Sequence, residues 1–180
     1  MEKSKLVRAS VYVGTYKKYN EGSLAGAWME LADYESKDKF MEACKELHSD
    51  EEEPEFMYQD YNNIPDGMIN ESYINPLLFG IIQCAKDMDD TETEAFFTFL
   101  DMELGDYSDY KDGEELVDLF QSKYAGEFDS EEAFATYMAE EKWPDELQTE
   151  FGMYFDYEAY ARTLLTSGWR HHGDFYFSVR

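Results

Sequence analysis

One long stretch of this chain is rich in both acid and aromatic residues, and that pairing restricts what the chain can fold into. Glu46 to Glu158 holds 33 Asp or Glu but only four Lys or Arg (Lys86, Lys111, Lys123 and Lys142), a net charge of −29. Residues 1–45 sum to +1 and residues 162–180 to +2, giving −26 for 180 residues. A solvated acidic tail is poor in core-forming residues. Here Phe, Tyr, Leu and Met recur throughout the acidic stretch. The carboxylates are therefore predicted to sit on the surface of a folded scaffold.

With 43% hydrophobic and 17% aromatic residues, the chain can supply a core, and a compact chain of this length buries about 70% of its unfolded surface. The self-repulsion of −26 charges falls when they are spread out, which predicts several small units in a row. Fifteen bases against 41 acids disfavour direct nucleic-acid binding and favour a basic partner. Cys44 and Cys84 lie on apolar helical stripes and read as core residues of a reducing compartment. The longest apolar run, Leu77 to Ile82, is too short to span a membrane, and the start Met1-Glu2-Lys3-Ser4-Lys5 lacks a signal peptide's apolar segment. A cytoplasmic protein without membrane contact is expected.

The pattern predicts an α+β fold in three subdomains. Residues 1–62 read as an antiparallel sheet plus helix: strands over 6–14, 27–31 and 55–61, with a polar loop over 16–26. A helix capped by Ser36 is predicted over 37–48. Residues 63–105 read as helical. A linker over 62–70 precedes a helix from Asn75-Pro76 to about Met88 and another opened by the capping box Thr91-Glu92-Thr93-Glu94, running to about Leu104. Residues 106–180 read as acidic helices plus a small sheet. Caps are expected at Asp112, Ser130 and Asp156, a helix end at Gly168, and a hairpin turning at Gly173-Asp174.

No reaction chemistry stands out. EF-hand registers fail: from Asp87 the twelfth position is Thr98, and with Asp112-Gly113 as positions five and six it is Leu119. His171 and His172, adjacent on a strand, point to opposite faces, and His48 near Cys44 lacks a second ligand pair. There is no nucleophile elbow, and Gly22 to Gly26 lacks the lysine of a phosphate loop. No catalytic, metal or cofactor residues are assigned. The acid remains: 26 charges match roughly 44 Å of duplex, or about 13 base pairs. On charge alone, solubility or a salty habitat explains such a surface better than mimicry of a nucleic acid does.

Four segments carry a resemblance. They are Val11-Tyr12-Val13-Gly14-Thr15-Tyr16 continuing to Trp28; Met57-Tyr58-Gln59-Asp60-Tyr61 with Ile69-Asn70-Glu71-Ser72; Tyr124 to Ala135; and Phe155 to Arg162. In order and spacing they resemble the ArdA antirestriction family from about residue 9 to the end. The resemblance implies a non-enzymatic DNA mimic that inhibits type I restriction–modification enzymes by occupying the DNA groove of their methyltransferase and specificity subunits. It also implies three small domains in a row, a curved homodimer and carriage on mobile genetic elements. An acidic interaction protein for another basic partner, such as a nucleoid protein, is the alternative. The carboxylates assigned to the partner-binding surface are Glu114, Glu115, Asp118, Glu127, Asp129, Glu131, Glu132, Glu140, Glu141, Asp145, Glu146 and Glu150, extended by Asp87, Asp89, Asp90, Glu92 and Glu94. A Lys-containing N-terminal extension and the aromatics Tyr107 and Tyr110 depart from the family pattern.

Overall fold

The structure, a computed structural model, describes residues 5–102 and 109–179. The fold is mixed α+β, and the chain divides into two compact units, Met1–Phe120 and Gln121–Arg180. Among the described residues no helix is long and apolar enough to cross a membrane.

In the first unit a 3₁₀ turn, Leu6–Arg8, leads into β1 (Ser10–Thr15). Alternation buries Val11 and Val13 and leaves Tyr12 half-exposed. Within the expected loop stands a short helix, α1 (Tyr16–Asn20), because the Thr15 hydroxyl accepts from the Lys18 amide at 3.2 Å and caps it. The chain returns through β2 (Ala27–Glu30), and Ser36 caps α2 (Lys37–Leu47) as the sequence predicts, turning Phe40 and Cys44 inward. With β3 (Phe56–Asn62) the strands form an antiparallel sheet of order β2-β1-β3.

The segment expected to be a linker instead packs into the unit. Ile64, Met68 and Ile69 are buried, and β4 (Ile69–Asn70) pairs with β5 (Tyr73–Ile74). Asn, Pro and Gly mark the turns here, but the apolar residues between them gain more from burial than a solvated linker would.

Next comes α3 (Leu77–Ala85), shorter than expected, and then α4 (Asp90–Met102). The cap of α4 is Asp89 rather than Thr91. Its carboxylate accepts from the Glu92 amide at 2.8 Å, while the Thr93 hydroxyl donates back to the Asp89 carbonyl at 2.8 Å. The expected helix end at Leu104, and Tyr107, lie outside the described residues. α5 (Gly113–Lys123) crosses α3 closely: a Cβ on Gly113 would stand 2.5 Å from Ile81 N and Gly80 C. Its Phe120 packs on Phe96 and Phe99 at centroid distances of 5.0 and 5.7 Å.

The second unit begins with β6 (Tyr124–Glu127), a strand that the sequence pattern does not announce. It is followed by α6 (Glu131–Lys142), α7 (Pro144–Leu147), a 3₁₀ turn Glu150–Tyr154, and α8 (Tyr157–Ser167). The expected caps hold: Ser130 Oγ accepts from the Ala133 amide at 3.1 Å, and Asp156 Oδ1 from that of Ala159 at 2.9 Å. The C-terminal hairpin is β7 (Trp169–His172) and β8 (Phe175–Ser178), and β8 lies centrally in the order β6-β8-β7. The core of this unit is Phe134, Ala135, Ala161, Leu164 and Tyr176. Phe134 stacks on Tyr176 at 4.4 Å and meets Trp169 edge-on at 5.2 Å.

Candidate acidic interaction surface

Of the 17 carboxylates assigned from sequence, 16 are exposed; Glu92 alone is half-buried. Helical geometry explains much of this. On α5, Gly113, Leu116 and Phe120 take the inner face, which forces Glu114, Glu115 and Asp118 outward. Those three fall within about 6 Å of helix axis, close to the roughly 3.4 Å per charge of one DNA strand. On α6, Phe134, Ala135 and Ala139 are buried. Its acid is confined to the ends: Glu131 and Glu132 in the first turn, Glu140 and Glu141 in the last. The two ends lie about 15 Å apart along the axis. Glu127 and Asp129 precede the first group in the chain, and Asp145, Glu146 and Glu150 follow the second. In the first unit, Asp87, Asp89, Asp90, Glu92 and Glu94 crowd the start of α4.

Several of these groups have local tasks. Asp89 caps α4. Asp112, which is not one of the 17, caps α5 by accepting from the Glu115 amide at 3.1 Å, and Glu115 Oε2 reaches back to the Lys111 amide at 2.8 Å. Glu94 lies 3.6 Å from Lys5 Nζ, and Glu131 lies 3.5 Å from His171 Nε2. For Asp87, Asp90, Glu114, Asp118, Glu127, Asp129, Glu132, Glu140, Glu141, Asp145, Glu146 and Glu150, no cation lies within ion-pair distance among the described residues. Lys86, the base nearest the α4 cluster in sequence, donates instead to the Ala32 carbonyl (2.7 Å) and the Gln83 side-chain oxygen (2.8 Å). Lys142 lies over the Trp143 ring at 4.5 Å.

Sequence reasoning passed over other exposed acids. Glu52, Glu53, Glu55, Asp60, Asp66 and Glu71 all face solvent in the first unit. The acidic turn Glu51-Glu52-Glu53 before Pro54 is the sequence signal for this group.

Two of the three histidines, His48 and His171, are held by neighbours. His48 is 1% exposed, with Nε2 3.2 Å from the Val13 carbonyl and Nδ1 3.0 Å from Lys18 Nζ. Lys18 also donates to Asp50 at 2.8 Å, and the Thr15 hydroxyl donates to Glu51 at 2.7 Å. His171 stacks on Tyr176 at 4.8 Å. Burial pushes the Cys44 thiol up to about 12, out of the range of a reactive nucleophile. No group of three or more His, Cys, Asp or Glu among the described residues is arranged to hold a metal ion. What this surface can do is present negative charge to a basic partner.

A comparison with curated proteins finds no match. The family model described as antirestriction protein (ArdA) matches residues 11–174, nearly the whole chain. On that match, the chain belongs to the ArdA family of antirestriction proteins.

Proposed function

We propose that this protein is a DNA mimic that occupies the DNA-binding groove of type I restriction–modification enzymes, against the methyltransferase and specificity subunits. Family membership supports an antirestriction role, and it implies restriction–modification enzymes as partners. The observation that carries the finer reading is the exposure of 16 of the 17 chosen carboxylates, most of them without a cation among the described residues. A surface built only to form its own salt bridges would pair them.

The mechanism is competitive binding, with no bond made or broken. Carboxylates take the charge-assisted hydrogen bonds that Lys and Arg otherwise give to phosphate. Long-range attraction speeds encounter, and salt weakens it. The protein acts as a homodimer in the cytoplasm, where foreign DNA arrives. The three-part layout 1–62, 63–105 and 106–180 belongs to the same reading, and limited proteolysis at its two junctions tests it.

The decisive experiment is competition between the purified protein and target-site duplex for a type I methyltransferase, over a range of salt. Displacement of the duplex, weakening steadily as salt rises, is expected. No displacement at low or moderate salt refutes the reading. Equal or tighter binding to an unrelated basic nucleoid protein favours a general acidic interaction protein instead.

A further inference from the structure

In the second unit two large apolar side chains stand far out of the surface: Met153 is 82% exposed and Tyr154 83% exposed. Single exposed hydrophobics are common and mean little. This pair differs in how it is held. The Thr149 hydroxyl donates to the Glu146 carbonyl at 2.6 Å, the Gly152 amide to the Thr149 carbonyl at 3.1 Å, and the Phe155 amide to the Gly152 carbonyl at 3.3 Å. Gly152 approaches α7 so closely that any side chain there would run into the Leu147 carbonyl. The next residue, Phe155, is clamped among Trp143 (5.7 Å), Tyr157 (4.9 Å) and Tyr160 (5.5 Å). The turn is thus rooted at both ends and holds Met153 and Tyr154 away from the core.

The charge around the pair fixes the kind of partner. Glu146, Glu150, Asp156 and Glu158 are all exposed, and no base occurs between Lys142 and Arg162. A basic surface with an apolar recess is complementary to an apolar pair framed in this way. DNA presents two things to an enzyme that modifies a base: phosphate charge, and a planar ring swung out of the stack into an apolar or aromatic recess. Ring stacking in such recesses tolerates different rings, because each offers a flat face.

We infer that Tyr154, flanked by Met153, is an anchor whose ring enters a ring-binding recess in the partner's basic groove, of the kind that receives an unstacked base. The inference rests on the DNA-mimic reading above and adds to it a term that salt does not screen.

The test is the same duplex competition with Tyr154→Phe, Tyr154→Leu and Met153→Ala, and with Glu146→Gln/Glu150→Gln as the charge control. Tyr154→Leu is expected to bind about tenfold more weakly at every salt concentration, within what one stacked ring contributes, with an unchanged salt slope. Tyr154→Phe should match wild type, and Met153→Ala should weaken binding less than Tyr154→Leu. The charge control should flatten the slope. A single cooperative thermal transition establishes that each variant folds. If Tyr154→Leu competes as well as wild type, if Tyr154→Phe is weakened as much as Tyr154→Leu, or if Tyr154→Leu turns a dimer into a monomer in sedimentation, the anchor is refuted while mimicry stands. If wild type itself does not compete, mimicry fails and the anchor with it.

Discussion

Replacing Glu140 and Glu141 together by Gln separates what the fold needs from what binding needs. Both residues sit in the last turn of α6, exposed, with no cation in ion-pair distance among the described residues. A carboxylate there faces the negative end of the helix dipole, which costs about 0.3–1 kcal/mol at an exposed site. At the low end for each, neutralising both stabilises by about 0.6 kcal/mol. In a unit of 60 residues, Gln121–Arg180, 1 kcal/mol moves the midpoint by about 4–8 °C. The double variant should therefore melt about 2–5 °C higher, and more so at low salt, since screening weakens the dipole effect. In duplex competition it should bind more weakly, with a shallower salt dependence. The assays are calorimetric melting and competition on one preparation. A lower midpoint would refute the dipole argument. A higher midpoint with unchanged competition would remove these carboxylates from the binding surface.

Other perturbations follow from the packing. Gly113→Ala gains helix propensity, yet its Cβ meets backbone at Gly80 and Ile81 that cannot swing aside; we expect a loss of about 1–3 kcal/mol, read as a lower urea midpoint. The hydrogen bond from Lys18 holds the Asp50 carboxyl below its ordinary range, and the same bond raises Lys18. A lowered carboxyl stabilises above its unfolded value, about 4, and loses this as pH falls through the folded one; a raised lysine stabilises below about 10.4 and loses this as pH rises. The melting difference between wild type and Lys18→Met should thus narrow as pH falls below about 4 and as it rises above about 10. Cys44, its thiol pushed up to about 12 by burial, should resist a thiol reagent until urea unfolds the first unit, as followed by mass spectrometry.

The helical part of the fold is legible in the sequence wherever a cap and an apolar stripe coincide. Ser36, Ser130 and Asp156 each precede a stripe, and each caps a helix in the structure. Where two candidate caps compete, local pattern fails. Asp89 and Thr91 both fit, but the Thr93 hydroxyl finds the Asp89 carbonyl only if the helix opens at Asp90. Strand β6 is invisible for another reason. Tyr124, Ala125 and Gly126 have no clear alternation, and the strand exists because β8 supplies a partner some fifty residues later. Exposure of the acids could be read from helical faces, and the Met153–Tyr154 protrusion could not. Nothing in the run from Phe151 to Tyr157 shows which aromatics turn inward; the contact of Gly152 with α7 and the clamp on Phe155 decide it.

Placement of the acid also separates solubility from recognition. A chain that needs only negative charge can put it in the first turn of each helix, where the dipole stabilises it. Asp90, Glu92, Glu114, Glu115, Glu131, Glu132, Asp145 and Glu146 are there. Glu140 and Glu141 are not, and Asp118 sits one turn beyond Glu114, where two like charges repel by a few tenths of a kcal/mol. Carboxylates kept against the preference of the fold are the ones a bound partner has reason to retain. If that is right, neutralising Glu140, Glu141 and Asp118 weakens competition more than neutralising Glu131, Glu132 and Glu114, although each set removes three charges from an exposed surface. Equal loss from the two sets would mean that only total charge matters, and that position along these helices carries no information about the partner.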